Sequence, residues 1–189
     1  MTPRTPLRLT DIELRAAALD GELLPLGGSY LPLDVPLDPR ARLTALAPAL
    51  GDDRVILAGR CAAWVWGWTD SSCPTLCCCV SSRQRIPSSA RRALAAREVV
   101  IDLDEIVRLD SVAITTPLRT LLDLARHDEG DDLPRVLASA LQEAAVTRGL
   151  TAERIDEALR RRPGAAHTRR ARARLERAAA DAAQPLLTR

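Results

Sequence analysis

Twelve residues, Thr115 to Arg126 (TTPLRTLLDLAR), constrain this chain more than any other stretch. Thr116 suits a helix N-cap, and Pro117 suits the first helical position, where a missing N–H costs nothing. Leu118, Leu121, Leu122 and Ala125 then recur at i, i+3, i+4 and i+7 and form one apolar stripe that has to find a core. Arg119, Asp123 and Arg126 share the opposite face, with Arg119 and Asp123 spaced for an ion pair on that face.

The segments before this helix read as strands. Glu98 to Leu103 and Ile106 to Thr115 are strand-like, with turns near Asp104-Glu105 and Asp110-Ser111. Thr75 to Val80 (TLCCCV) is a third short strand, in which Cys77 and Cys79 face one way and Cys78 the other. Val55 to Gly67 (VILAGRCAAWVWG) reads as a turn into a short helix that ends at Gly67, a good C′ residue. Closer to the N-terminus, Leu9 to Leu19 reads as a helix capped by Thr10 or Asp11, with Ile12, Leu14, Ala16 and Leu19 as its apolar residues. Glu22 to Leu33 divides at Gly27-Gly28 into a hairpin. A helix followed by a small hairpin is the back end of a winged helix-turn-helix. Asp34 to Pro39 reads as a linker, and a helix from Pro39 to about Leu50 follows.

After the twelve-residue motif come an acidic loop (His127 to Asp132) and an amphipathic helix, Leu133 to Thr147. Two further helices, Thr151 to Arg162 and Arg169 to about Ala183, are separated by Pro163-Gly164. The expected architecture is α+β: a truncated winged-helix-like segment over 1–36, then over 37–189 a small, mostly antiparallel sheet with a C-terminal helical bundle.

The Thr115–Arg126 string resembles a motif of the AbiEi-family antitoxins of type IV toxin–antitoxin systems. It also resembles related actinobacterial proteins that carry a repair-type endonuclease domain behind the same module. Val55 to Gly67 is similar to a second motif of that family. Asp20-Gly21-Glu22-Leu23 and Gly28-Ser29-Tyr30 are similar to its N-terminal hairpin, so the resemblance covers about residues 8 to 182. It implies a C-terminal domain that counteracts a nucleotidyltransferase-type toxin, and an N-terminal domain that represses its own operon by binding operator DNA. Arg119, Asp123 and Arg126 are then motif residues of the family.

The sequence departs from that pattern at both ends. A full winged helix needs about two more helices upstream, and the hairpin carries Leu26-Gly27-Gly28 where a DNA-binding wing usually presents bases to phosphate. Arg4, Arg8 and Arg15 are the candidate DNA contacts; the alternative is a structural cap on the main domain. Gln184 to Arg189 (QPLLTR) aligns with the point where the fusions open their nuclease domain, but Leu187 stands at the position of an acidic residue. A metal-dependent nuclease needs clustered carboxylates, so nuclease chemistry is not expected.

Charge has to be read against composition. All 27 Lys+Arg residues are Arg, and Asn and Phe are absent, which suggests a GC-rich coding sequence and weakens Arg content as evidence for nucleic acid. The net charge of +2 is small. Clustering matters more: Arg161, Arg162, Arg169, Arg170, Arg172, Arg174 and Arg177 concentrate positive charge on the last helices. They are the candidate contact for an acidic toxin face or for a phosphate backbone, against the simpler reading of a solvated face.

Trp64, Trp66 and Trp68 could stack on bases, but few basic residues interleave with them, so core packing is expected. The five Cys do not form a secreted disulfide pattern, and their spacing is poor for zinc, so small apolar core residues are the expected role. No phosphate loop, nucleophile–base pair or carboxylate dyad stands out. The expectation is a cytoplasmic non-enzyme with no metal, cofactor or membrane segment. The alternative is a stand-alone nucleic-acid-binding protein derived from a nuclease fusion that has lost its enzyme domain.

Overall fold

The computed structural model describes residues 9–26, 29–70, 76–147, 149–161 and 167–183. The first described element is α1 (Asp11–Leu19), opened by a full capping box in which the Thr10 hydroxyl accepts from the Glu13 amide and the Glu13 carboxylate accepts from the Thr10 amide. A hairpin follows, β1 (Leu23–Leu26) antiparallel to β2 (Ser29–Pro32). Helix and hairpin are where the sequence places them, but α1 buries none of its residues, and Ile12 and Leu19 stand 79% and 88% exposed. The hairpin makes the connection to the rest of the molecule: Leu26 and Leu31 join the main core, and β2 packs against α2 (Pro39–Leu46).

The central sheet is built from β3 (Val55–Leu57), β4 (Cys78–Ser81), β5 (Arg97–Val99), β6 (Ile106–Leu109) and β7 (Val112–Thr115), in spatial order β5-β4-β3-β7-β6. It is a mixed sheet. The β3–β4 and β6–β7 ladders are antiparallel, while β3–β7 and β4–β5 are parallel. The parallel pair β4–β5 is joined by a crossover through α4 (Ser88–Ala93), and β3–β7 by a longer one that begins with α3 (Gly59–Trp66) and takes in β4 to β6; β3 and β4 are antiparallel although α3 lies between them. The central strand β3 is buried along its whole length, as a continuous Val-Ile-Leu run requires when both faces are covered.

Helix α5 (Pro117–His127) leaves β7 through the Thr116 cap and runs through the middle of the helical layer. It packs against α3 and against all three C-terminal helices, α6 (Leu133–Thr147), α7 (Ala152–Arg161) and α8 (Thr168–Ala183). Leu121, Leu122, Leu124 and Ala125 are buried, and each Leu contributes about 2 kcal/mol. Thr115 and Thr120 are fully buried with their hydroxyls 2.7 Å apart, and Thr120 also reaches the Thr115 carbonyl at 3.2 Å.

The other face of α5 carries the Arg119–Asp123 ion pair at the i, i+4 spacing read from the sequence. Arg119 and Arg126 are only 7% and 5% exposed, so the polar stripe is enclosed rather than solvated. Helix α5 is surrounded, and Arg119 is met both by Asp123 of the same helix and by Glu105 from outside it.

Candidate functional site

A cleft of about 360 Å³ opens where the first turn of α3, strands β4 and β5, and helix α5 converge. Arg60, Cys77, Arg97, Arg119, Asp123 and His127 are among its walls. The Arg119–Asp123 pair of the twelve-residue motif thus reaches this cleft.

The enclosed wall charges have a traceable balance. Arg119 Nε donates to Asp123 Oδ2 at 2.7 Å, while its Nη1 donates to Glu105 Oε2 at 2.8 Å and to the Val100 carbonyl at 3.3 Å. Burial opposes the Arg119 charge, but the Asp123 and Glu105 carboxylates outweigh it and its pKa rises. Glu105 is held in turn by the Asp102 amide, to which it is a capping partner.

On the opposite wall Arg60 clasps Asp128 with two bonds, Nε–Oδ2 at 2.6 Å and Nη2–Oδ1 at 2.7 Å, and reaches Asp132 at 2.9 Å. Burial works against the Asp128 carboxylate, yet Arg60 and the Gly130 amide keep its pKa below the ordinary value. This network joins α3 to the loop before α6. The sequence reading missed it, because Arg60 lies 68 residues from Asp128.

Two groups at the mouth carry less compensation. Arg97 is exposed and, among the described residues, forms no ion pair. His127 stands edge-on to His167, with ring centroids 5.6 Å apart. Burial lowers the His127 pKa, and Arg97, His167 and Arg126 push it the same way. The wall therefore offers a neutral imidazole and one exposed guanidinium beside two enclosed, compensated ones. Burial lifts the thiol pKa of Cys78 to about 11 and of Cys79 to about 12, so neither is a nucleophile at neutral pH. Among the described residues no group of three or more His, Cys, Asp or Glu is placed to hold a metal ion.

The Arg-rich C-terminal surface separates into two sets. Arg170 and Arg174 turn inward to the end of α5. Arg170 donates to the Arg126 carbonyl at 2.6 Å, and Arg174 to the carbonyls of Ala125 at 3.1 Å and Asp128 at 2.8 Å. Both also pair with Glu129. The last carbonyls of a helix have no partner within it, and these two guanidiniums fill that need for α5. Arg170 and Arg174, with side chains 37% and 21% exposed, therefore spend donors within the fold that the sequence assigns to a partner.

Arg161, Arg169, Arg172 and Arg177 do face solvent. Arg161 pairs with Glu157 at 3.4 Å and Arg172 with Asp156 at 3.3 Å; among the described residues, Arg169 and Arg177 form no ion pair. Arg160, Arg169 and Arg172 line one shallow groove between α7 and α8. Arg162 lies outside the described residues.

At the N-terminus Arg15 is exposed on α1, whereas Arg4 and Arg8 lie outside the described residues. The described hairpin residues, Leu23–Leu26 and Ser29–Pro32, include no basic side chain. Gly27-Gly28, Cys73, Pro163-Gly164 and Gln184 to Arg189 are also outside the described residues. The three tryptophans are core residues, only 2 to 5% exposed. Trp66 Nε1 donates to the Thr115 carbonyl, Trp68 Nε1 donates to Glu143, and Arg42 lies over the Trp64 ring with 5.4 Å to its centroid. Among the described residues no helix is long and apolar enough to cross a membrane.

No protein-family model matches the sequence, and no curated protein matches it. Among solved structures the chain is similar to the RV2827C protein of Mycobacterium tuberculosis, with a TM-score of 0.50 and 19% identity over 93% of this chain. The chain spans 66% of the length of that protein. At this identity the likeness concerns the fold, and it supports the α+β architecture described above.

Proposed function

We propose that this chain is a non-catalytic partner-binding protein, an antitoxin of the AbiEi kind that counteracts a nucleotidyltransferase-type toxin through its C-terminal helices. The observation that carries the reading is the groove between α7 and α8, where Arg160, Arg169 and Arg172 stand together on one exposed face. Arg160 pairs there with Glu157 (3.6 Å) and donates to the Asp156 carbonyl at 3.4 Å, and Arg172 pairs with Asp156 (3.3 Å), all at exposed positions. Such pairs are worth about 0–1 kcal/mol, so an acidic partner can displace them at little cost. The motif resemblance at Thr115–Arg126 supplies the antitoxin assignment. Autorepression is a weaker part of the proposal, because Arg15 is the single basic residue on α1 and the described hairpin strands offer none to phosphate.

The test is a growth assay in which the neighbouring open reading frame is induced alone, with this protein, and with charge variants of it. The structure selects the variants: Arg160, Arg169 and Arg172 changed together to Glu remove the exposed groove charge and leave Arg170 and Arg174 on α5. Rescue by the wild type and loss of rescue by a stably folded triple variant support the antitoxin reading. A harmless neighbour, or toxicity unaffected by either protein, overturns it. Salt-sensitive binding of random DNA that the same variant abolishes would replace it with a phosphate-binding protein.

A further inference from the structure

We infer that Cys61 and Cys77 are a redox-active dithiol, a modification site that hydroperoxides convert to a disulfide across the seam between α3 and β4. The inference rests on the backbone at that seam and is independent of the α7–α8 surface.

Strands β3 and β4 pair antiparallel, with Leu57 opposite Cys78, and the ladder continues one step further because the Ala58 amide donates to the Cys77 carbonyl at 3.0 Å. In a regular ladder the Cys77 amide would return the bond to the Ala58 carbonyl. That carbonyl is occupied by Ala62, whose amide opens α3 at 3.2 Å. The Cys77 amide turns instead to Cys61, and its N–H donates to Sγ at 3.1 Å. The sulfur of one cysteine therefore lies directly against the backbone of the other. Gly59 turns the chain from β3 into α3 with a φ of +54°, a conformation that favours glycine, and sets Cys61, in the first turn of that helix, against the Cys77 backbone. Rotation about the Cys77 Cα–Cβ bond carries its sulfur between staggered positions on the same residue whose amide Cys61 Sγ already touches.

Access differs between the two thiols in the way a stepwise oxidation needs. Cys61 is fully buried, whereas Cys77 is half-buried on the wall of the 360 Å³ cleft. Cys77 is the thiol that meets an oxidant, and Cys61 is the one that resolves the product. In the first step the Cys77 sulfur attacks one peroxide oxygen, the O–O bond breaks, and water (or an alcohol, from an organic hydroperoxide) leaves. Cys77 is then a sulfenic acid. In the second step the Cys61 sulfur attacks the Cys77 sulfur, the S–O bond breaks and a second water leaves. Two thiols have given up two protons and two electrons, and the peroxide has accepted both. The neighbouring Cys78 and Cys79 are directed elsewhere: the Cys78 thiol donates to the Leu94 carbonyl at 3.5 Å, and Cys79 packs with Ile56, Ile101 and Ala113.

The experiment treats the native full chain with hydrogen peroxide, digests it without reduction and maps disulfide-linked peptides by mass spectrometry. The dominant product expected joins Cys61 to Cys77, and dithiothreitol reverses it. Cys77→Ser abolishes the cross-link. Cys61→Ser, which keeps a small hydrogen-bonding side chain at the seam, leaves Cys77 as a sulfenic acid that dimedone traps. Far-UV circular dichroism identical to the wild type shows that each variant is folded. A dominant cross-link from Cys77 to Cys73, Cys78 or Cys79 overturns the inference. So does a Cys77 that resists peroxide in the folded chain but reacts after unfolding.

Discussion

The Arg174 guanidinium of α8 donates to the Ala125 carbonyl of α5 across 3.1 Å. A residue that composition marks as surface charge thereby closes the end of the central helix. The same group also holds the Asp128 carbonyl at 2.8 Å and Glu129 at 3.1 Å, and its side chain is only 21% exposed. Replacing it by Ala leaves two partly buried carbonyls without their donor, and each such bond contributes roughly 1 kcal/mol. Arg174→Ala is expected to lower stability by about 2 kcal/mol in urea denaturation. Arg169→Ala and Arg177→Ala, at exposed positions on the same helix, should stay within about 0.5 kcal/mol of the wild type. Equal effects at all three positions would show that α8 is uniformly solvated.

Arg119 presents the stronger case, because it compensates two carboxylates from two elements. Its side chain is 8% exposed, and those of Asp123 and Glu105 are 22% and 23% exposed. Arg119→Met keeps the volume but removes the cation facing both carboxylates, which should cost about 3 kcal/mol. Adding Asp123→Leu removes one of the two uncompensated charges, so the double variant should be more stable than Arg119→Met alone. The coupling read from the double-mutant cycle measures the pair. A double variant as unstable as the sum of the singles would mean that Arg119 and Asp123 do not interact.

Much of the helical layer was legible because it rests on local patterning. The Thr116 cap, the Pro117 start and the Leu121, Leu122 and Ala125 stripe are all within one turn of their cause. The polar face of α5 was not legible. Whether Arg119 is solvated depends on Glu105 and the Val100 carbonyl, and whether Arg60 is bound depends on Asp128, a partner that no local period reveals. Strand β3 was missed for a different reason: three apolar residues before a helix carry no period that distinguishes strand from turn. In α8 the arginines are chemically identical, and only the position of the α5 terminus separates Arg170 and Arg174 from Arg169. One signal was available, since Ala171, Leu175 and Ala178 form the buried stripe and Arg174 directly adjoins it.

His127 gives the fold a pH dependence whose sign follows from its position. Burial lowers its pKa from 6.5, and Arg97, His167 and Arg126 add to the effect. Between that lowered value and 6.5 the unfolded chain binds more protons than the folded one, so stability falls as pH drops through the window. The melting temperature should therefore decline on going from about pH 7.5 to about pH 5.5. His127→Gln should flatten that part of the profile. The Asp128 contribution persists in the variant, because its depressed pKa confers stability that is lost only at lower pH. A His127→Gln profile parallel to that of the wild type over this range would place the titrating group elsewhere.

Gly130 tests the Arg60 clasp without touching a charge. It has no positive φ to protect, so Gly130→Ala carries no strain of the left-handed kind and by itself should stabilise by about 0.5 kcal/mol through the unfolded chain. The obstacle is spatial: a Cβ at Gly130 would run into the Arg60 guanidinium, the group that holds Asp128 and Asp132. Arg60 has to move, and its bidentate grip on a carboxylate with a 12% exposed side chain loosens. A charge-assisted hydrogen bond is worth about 1.5–3 kcal/mol, so loss of one outweighs the backbone gain. Gly130→Ala should thus destabilise the wild type by about 1 kcal/mol or more. In an Arg60→Ala background the obstacle is gone and only the backbone term remains, so the same substitution should become neutral or stabilising. A reversal of sign between the two backgrounds would identify the clasp as the cause. An unchanged penalty would mean that the cost of Gly130→Ala comes from the loop itself and that Arg60 yields freely.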